Sequence, residues 1–301
     1  MREGSRPELS VVVPSVNGLG DLLGCLAALQ AQREDVDLEV WVVDRLGEHV
    51  RHTALREFPW IRLLRAASDT PIPRLRAMAF REARGEAIAV IEDHVIVPRG
   101  WARMLLDALA QGDRVVGGAV ENAATGTLLD WAAFLCEYSH CMPPLSSGPA
   151  EWLTGNNVVY SRDLLDRYRE VTEEGGWENR LHDRLRADGV VLRCRPEIVV
   201  GHKKHYTFGE YLSQRYLYAR SYAGERVAGK PLWRRLAYGA ASLALPPILL
   251  GRILSRVLAK GRHRGWLLRG LPLIAIFVSS WGAGEVVGYC LGPGNALSRV
   301  R

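Results

Sequence analysis

Four short runs of aliphatic residues recur through the first 93 positions: LSVVVP (Leu9 to Pro14), LEVWVVD (Leu38 to Asp44), IRLL (Ile61 to Leu64) and AIAVIED (Ala87 to Asp93). Between them lie stretches with helical spacing. Asp21 to Gln32 carries Leu22, Leu23, Leu26 and Leu29 on one face, with Asp21 placed to act as N-cap. Glu48 to Glu57 can form a second helix, and Pro73 to Arg84 a third, with proline in the first turn where a missing N–H costs little. Strands that are apolar on both faces and alternate with helices predict an α/β fold, a mostly parallel sheet flanked by helices.

In sheets of this kind ligands bind beyond the carboxyl ends of the strands. Those ends read Pro14-Ser15-Val16-Asn17, Asp44-Arg45 and Glu92-Asp93-His94. A single acid at such a place more often caps the next helix. Two acid-bearing ends, one with three potential metal ligands in a row, favour a site. Downstream, GGAVEN (Gly117 to Asn122) reads as a strand and Leu128 to Tyr138 as a helix, followed by a loop from Pro143 to Pro149. Thr154 to Leu165 reads as a Gly-Asn turn, a strand and a helix start. Trp177 to Gly189 is a helix closed by Gly189, then VVLRC and EIVVGH form two strands. Phe208 to Val227 is a long helix rich in tyrosine and arginine.

The net charge of +6 leaves three kinds of partner open: nucleic acid, an anionic membrane surface or a phosphorylated substrate. Basic residues thicken after Arg193 and alternate with tyrosines, a pattern that can stack on single strands. No nucleic-acid-binding module accompanies them, so nucleic acid is the least favoured partner. Aromatic and basic residues also mark a membrane interface. Ala237 to Gly251 and Gly270 to Gly284 are uncharged but shorter than the ~20 residues of a spanning helix, and Pro246-Pro247 should break the first. The linker between them, Arg252 to Arg269, is strongly basic and would be extracytoplasmic if both segments spanned. An in-plane or re-entrant hairpin on the inner leaflet is therefore favoured, with two short spanning helices as the runner-up and a soluble pair packed on the domain less favoured because the segments are so apolar. Two domains are expected, 1–230 and a membrane-associated 231–301. The five scattered cysteines contain no CxxC pair and read as reduced thiols in a cytosolic setting. The first ten residues lack the apolar run of a leader peptide.

From residue 8 to about 228 the chain resembles the family 2 glycosyltransferases of the GT-A fold. LSVVVPSVN looks like that family's opening strand and Pro-x-x-Asn turn, and EVWVVD like its second strand. RLRAMAFREARGEAIAVIEDH is similar to the helix, turn and strand leading into the Asp-x-Asp motif. TGNNVVYSRDLL looks like the Gly-x-Asn segment behind the acceptor site, WENRLHDRLRADG like the helix bearing the catalytic acid, and VVGHKKH like a late metal-binding strand. Carried over position by position, the resemblance implies donor contacts from Pro14, Asn17, Asp44 (base), Arg76 (phosphates), Glu92, Asp93, Gly155 and Asn156. It implies a divalent metal, Mn²⁺ or Mg²⁺, on Glu92, His94 and His202, and Glu178 as general base. Three departures stand out. Glu-Asp-His replaces Asp-x-Asp, Trp177-Glu178 replaces an acidic pair, and Asp44-Arg45-Leu46-Gly47 replaces an Asp-Asp-Gly-Ser turn. Imidazole suits Mn²⁺ better than Mg²⁺.

Taken singly, His202 can be a surface histidine and Glu178 an ordinary acid of a helix N-terminus; their joint pattern is what argues for chemistry. The expected function is metal-dependent, inverting transfer of a sugar from a nucleotide-diphosphate donor, with UDP the expected base carrier. The acceptor would be a glycan or lipid-linked molecule at the cytoplasmic face of the cell membrane. The alternative is an inactive GT-A-like membrane scaffold.

Overall fold

All four apolar runs form strands. The structure, a computed structural model, describes residues 6–301; the leaderless reading of the first ten positions falls in part on residues 1–5, outside them. In chain order the elements begin with β1 (Leu9–Ser15), α1 (Leu19–Gln30), β2 (Leu38–Asp44), α2 (Glu48–Glu57), β3 (Arg62–Arg65) and α3 (Ile72–Glu82). β4 (Ala87–Val90), β5 (Val95–Ile96), α4 (Trp101–Ala110), β6 (Val115–Asn122), α5 (Leu128–Tyr138) and β7 (Gly148–Ala150) follow. Then come β8 (Val158–Ser161), α6 (Arg162–Arg167), α7 (Arg169–Glu173), α8 (Glu178–Ala187) and β9 (Leu192–His202). The chain ends in helices α9 (Phe208–Arg226), α10 (Leu232–Ala241), α11 (Leu245–Lys260), α12 (Arg264–Leu291) and α13 (Ala296–Arg299).

The chain divides into two compact units. The first comprises Met1–Ala123 and Cys141–Lys203; the second comprises Ala124–His140 and Lys204–Arg301. The expected boundary at residue 230 thus falls inside the second unit, which also takes in α5 and α9.

The first unit holds one sheet, ordered β3-β2-β1-β4-β8-β6-β9-β5, with β7 on β9. Its first four strands are parallel, as continuous apolar runs require; β8 then runs antiparallel between β4 and β6. β1 and β2 are buried along their whole length. This face-covered centre brings the strand ends Ser15, Asp44 and Val90 to one rim.

Four local expectations are corrected. Asp21 lies in the first turn of α1, which begins at Leu19 after Gly18; the carboxylate there still favours the helix dipole. The run ending at Asp93 stops as a strand at Val90, because the chain turns before pairing β5 with β9. VVLRC and EIVVGH form one strand, because β6 pairs with both halves across a bulge between Gly117 and Ala119. The C-terminal helices outrun their uncharged cores: α12 continues through Glu285 to Leu291. The expected break near Pro246-Pro247 is present just upstream, as a 3₁₀ turn at Ser242–Ala244 between α10 and α11.

Candidate active site

The rim beyond β1 and β4 is organised around Asp93, which is completely buried. The backbone amides of Val16 and Asn17 donate to its Oδ2 at 2.7 and 2.9 Å, and Asn17 Nδ2 donates to Oδ1 at 2.6 Å. His94 Nδ1 lies 3.1 Å from the same Oδ1. Asp93 therefore locks the turn after Pro14 to the turn after β4, and fixes the ring of its neighbour. Burial would raise its carboxyl, but the His94 and Asn17 contacts hold it below the ordinary value.

His94 and His202 come together through a ladder that sequence spacing does not show. β5 pairs antiparallel with the end of β9, with Val95 opposite His202. The Lys203 amide donates to the His94 carbonyl at 3.0 Å, and the Ala123 amide to that of His202 at 2.9 Å. As a result His94 Nε2 and His202 Nε2 lie 2.8 Å apart, and Glu92 Oε2 lies 3.3 Å from His94 Nε2. Ligand atoms of Glu92, His94 and His202 all fall within 4.8 Å of one another. His202 is buried rather than a surface residue.

The donor chemistry fits a divalent cation. Two imidazole nitrogens and a carboxylate oxygen converge, and the other nitrogen of His94 is anchored on a carboxylate, which is how histidine ligands are oriented. Charge points the same way. Glu92 and Glu178 share the Arg76 guanidinium, and Asp93 adds a third carboxylate beside His94, so these four groups carry a net charge of −2 when both imidazoles are neutral. Without a cation, protons answer that field. Burial disfavours a charged His94, yet its contacts with Asp93 and Glu92 raise it to about 10. Burial likewise opposes ionising Glu92, but His94, Arg76 and His202 hold it at about 2.

Arg76, on α3, joins this cluster to Glu178. Its Nη1 donates to Glu178 Oε2 at 2.8 Å and its Nη2 to the Gly155 carbonyl at 3.2 Å, while Nη2 also lies 3.7 Å from Glu92 Oε1. Glu178 is the first residue of α8, with its carboxylate at the positive end of the helix dipole. Gly155 is required by proximity: a Cβ there would sit 2.6 Å from Glu178 Cδ and 2.9 Å from Arg76 Nη1. Arg76, Gly155, Tyr160, Trp177 and Glu178 line one cleft, whose apolar wall includes Val90, Val158 and Leu181.

The remaining expected residues have structural partners. Asp44 is fully buried; it accepts from Ser15 Oγ (2.9 Å), the amides of Leu46 and Gly47 (3.2 and 3.1 Å) and Arg51 (3.0 Å). In this structure it closes the turn from β2 to α2. Pro14 is buried within β1, pairing with Val43. Asn156 is buried and accepts from Thr154 Oγ1 at 2.8 Å. Sequence reasoning passed over its neighbour Asn157, which ties β6, β8 and β9 together by donating to the Ala119 and Ile198 carbonyls and accepting from Trp101. It also passed over His182, which lies 2.8 Å from the Tyr160 hydroxyl. Its spacing of four from Glu178 was the available signal, since such residues share a helix face. Burial lowers His182 to about 4, so it is neutral beside the cleft.

The model of the family described as "Glycosyl transferase family 2" matches residues 10–167, just over half of the chain. A search of curated proteins finds no match. Among solved structures the chain is similar to the mannosyltransferase PcManGT from Pyrobaculum calidifontis in complex with GDP-Man and Mn²⁺. That likeness has 16% identity over 94% of this chain and 88% of that one, with a TM-score of 0.57. It is also similar to S. aureus TarS 1-349 in complex with UDP-GlcNAc, with 12% identity, 93% and 91% coverage and a TM-score of 0.53. At such identities the structural likeness establishes the fold, and the family match establishes the rest: the chain belongs to glycosyl transferase family 2 and is a glycosyltransferase of GT-A architecture.

Proposed function

We propose that this enzyme transfers a sugar from a nucleoside-diphosphate sugar to a lipid-linked or membrane-proximal acceptor at the cytoplasmic face, with inversion and with a divalent cation. The observation that carries the reading is the convergence of Glu92, His94 and His202, with Arg76 linking Glu92 to Glu178. The nucleoside-diphosphate sugars in the two neighbours' complexes, one with Mn²⁺, support it. Glu92, His94 and His202 would hold the cation, whose contribution when bound is to offset charge on the departing diphosphate. Glu178 takes the proton from the acceptor hydroxyl as it attacks. Arg76 orients that carboxylate and lies where it can meet the donor phosphates. Glu178 and Glu92 meet the guanidinium through different nitrogens, so base and cation site stay distinct. Asp93 holds His94 in register, and the turn from Pro14 to Asn17 shapes the donor cradle. UDP is the proposed carrier, with GDP the competing one.

The test is nucleoside-diphosphate release from UDP- and GDP-sugars with Mn²⁺ or Mg²⁺ and a membrane-lipid extract as acceptor. Metal-dependent release with one donor is expected, falling by about 10²–10⁴-fold in Glu178→Gln. Release that survives Glu178→Gln would remove the base assignment. No donor binding at all would favour the scaffold reading.

A further inference from the structure

Two helical stretches of the second unit, Leu232–Lys260 and Arg264–Leu291, are long and apolar enough to cross a bilayer by length and composition. Their surroundings within that unit differ. α12 is the more packed, with 39% of its apolar segment buried against 17% in the other stretch, although Leu268 and Leu291 are exposed. Phe277 is fully buried, with its ring centroid 4.6 Å from that of Tyr211, and Ser280 donates to the Leu212 carbonyl at 2.8 Å. Side chains at Gly284 and Gly288 would run into the backbone carbonyls of Tyr216 and Arg220. Arg226 reaches Tyr289 Oη at 3.0 Å and Glu285 at 3.5 Å. α12 thus lies along α9, which carries Glu210, Arg215, Arg220, Glu225 and Arg226. A helix packed along so charged a partner is poorly placed to span, since charges in hydrocarbon are strongly disfavoured.

α10 and α11 present the reverse. Their inner stripe, Gly239, Ser242, Ile253 and Val257, is buried. Their outer surface leaves Trp233 66% and Leu243 73% exposed, with Leu236 and Ile248 each about half exposed. A patch of that kind on a soluble surface marks a binding face. The uncharged stretch from Leu236 to Gly251 is 16 residues, roughly 24 Å of helix against a hydrocarbon core of about 30 Å. Arg235 and Arg252 bracket it. Between Val227 and Glu285 the chain has nine lysines and arginines and no acid. Arg234 lies 5.0 Å from the Trp233 ring and Lys230 5.0 Å from that of Tyr238, cation–aromatic pairs suited to headgroup depth.

The geometry points to an anionic lipid surface as the occupant of this face, with α10 and α11 lying in the plane of the leaflet and α12 held above it. A second copy of the chain would bring like charge against like charge. A nucleic acid would satisfy the cations but leave the apolar stripe wet. The inference shares the membrane with the proposed function but none of its catalytic residues.

It is tested with the full chain and vesicles of phosphatidylcholine, alone or with roughly a third phosphatidylglycerol. Flotation is expected only with the anionic vesicles, and should be lost near 1 M salt, where the Debye length falls to about 3 Å. Membrane-bound protein should be released by alkaline carbonate. Trp233→Glu and Leu243→Glu should each weaken vesicle binding roughly tenfold or more. Both positions are exposed, so thermal unfolding should not change. Retention in carbonate-washed membranes would overturn the inference in favour of a span. So would unchanged vesicle binding in both variants, single-stranded DNA binding in place of vesicle binding, or a dimer that the variants dissolve. Vesicle binding without sugar transfer would leave this inference intact while removing the reaction.

Discussion

The two units treat charge in opposite ways. In the first, carboxylates are taken out of water and met one by one: Asp44 and Asp93 are fully buried, and both oxygens of each have partners. In the second, cations gather without acids from Lys230 to Arg269 while large apolar side chains face outward. The first arrangement is preorganised for a small, highly charged ligand, because buried groups cannot rearrange cheaply when it arrives. The second is suited to an extended surface, which needs neither fixed geometry nor one specific contact. Each is unbalanced towards what it would bind: an excess of negative charge in the cluster, of positive charge on the helices.

The sharpest way to break this contrast is to remove a ligand. His202→Ala takes one of the two facing imidazoles from the cluster, and should weaken Mn²⁺ binding by about a hundredfold or more, with transfer falling alongside. Asp93→Asn leaves all three ligands but loosens the His94 ring, and should cost roughly 10–100-fold. Titration of Mn²⁺ by isothermal calorimetry reads both. If His202→Ala binds Mn²⁺ as the unaltered protein does, the buried cluster is an ion-pair network and not a cation site.

How far these features were legible follows from their range. The parallel half of the sheet was readable chiefly because β1 and β2 are apolar on both faces, a property local to seven residues. Glu92, Asp93 and His94 were readable because they adjoin one strand end. The partnership of His94 with His202 depends on β5 pairing with β9, contacts separated by 108 residues, so only family likeness suggested it. Asp44 illustrates the opposite case. Its place at the end of β2 was visible, but its engagement by Ser15, the Leu46–Gly47 amides and Arg51 was not. In the second unit, uncharged cores marked the apolar helices correctly, but helix length is set by packing as well as composition. Neighbours, not hydropathy, separate α12 from α10 and α11.

A smaller effect should appear in stability against pH. Burial lowers His182 from 6.5 to about 4, so the folded state favours the neutral ring. The sign follows: the contribution is complete above about 6.5 and is lost as pH falls from there towards 4, amounting to about 3 kcal/mol. Denaturant midpoints at pH 7.5 and 4.5 measure it, with His182→Leu expected to flatten the slope. Should the variant keep the full slope, titration elsewhere in the chain accounts for acid sensitivity.

The subtlest contrast lies in what a glycine is for. In the second unit Gly284 lets two helix backbones approach; in the first, Gly155 lets two charges approach. A methyl group at Gly155 meets the ends of the Glu178 and Arg76 side chains, not backbone, so the fold can absorb it. The ion pair cannot, because the carboxylate must move from the position Arg76 gives it. Small displacements of catalytic groups are costly. Gly155→Ala should therefore reduce kcat roughly tenfold, with little change in donor KM and a Tm within a few degrees of the parent. A lowered Tm with unchanged kcat would mean that Gly155 serves packing alone, and that Glu178 does not depend on Arg76 for its position.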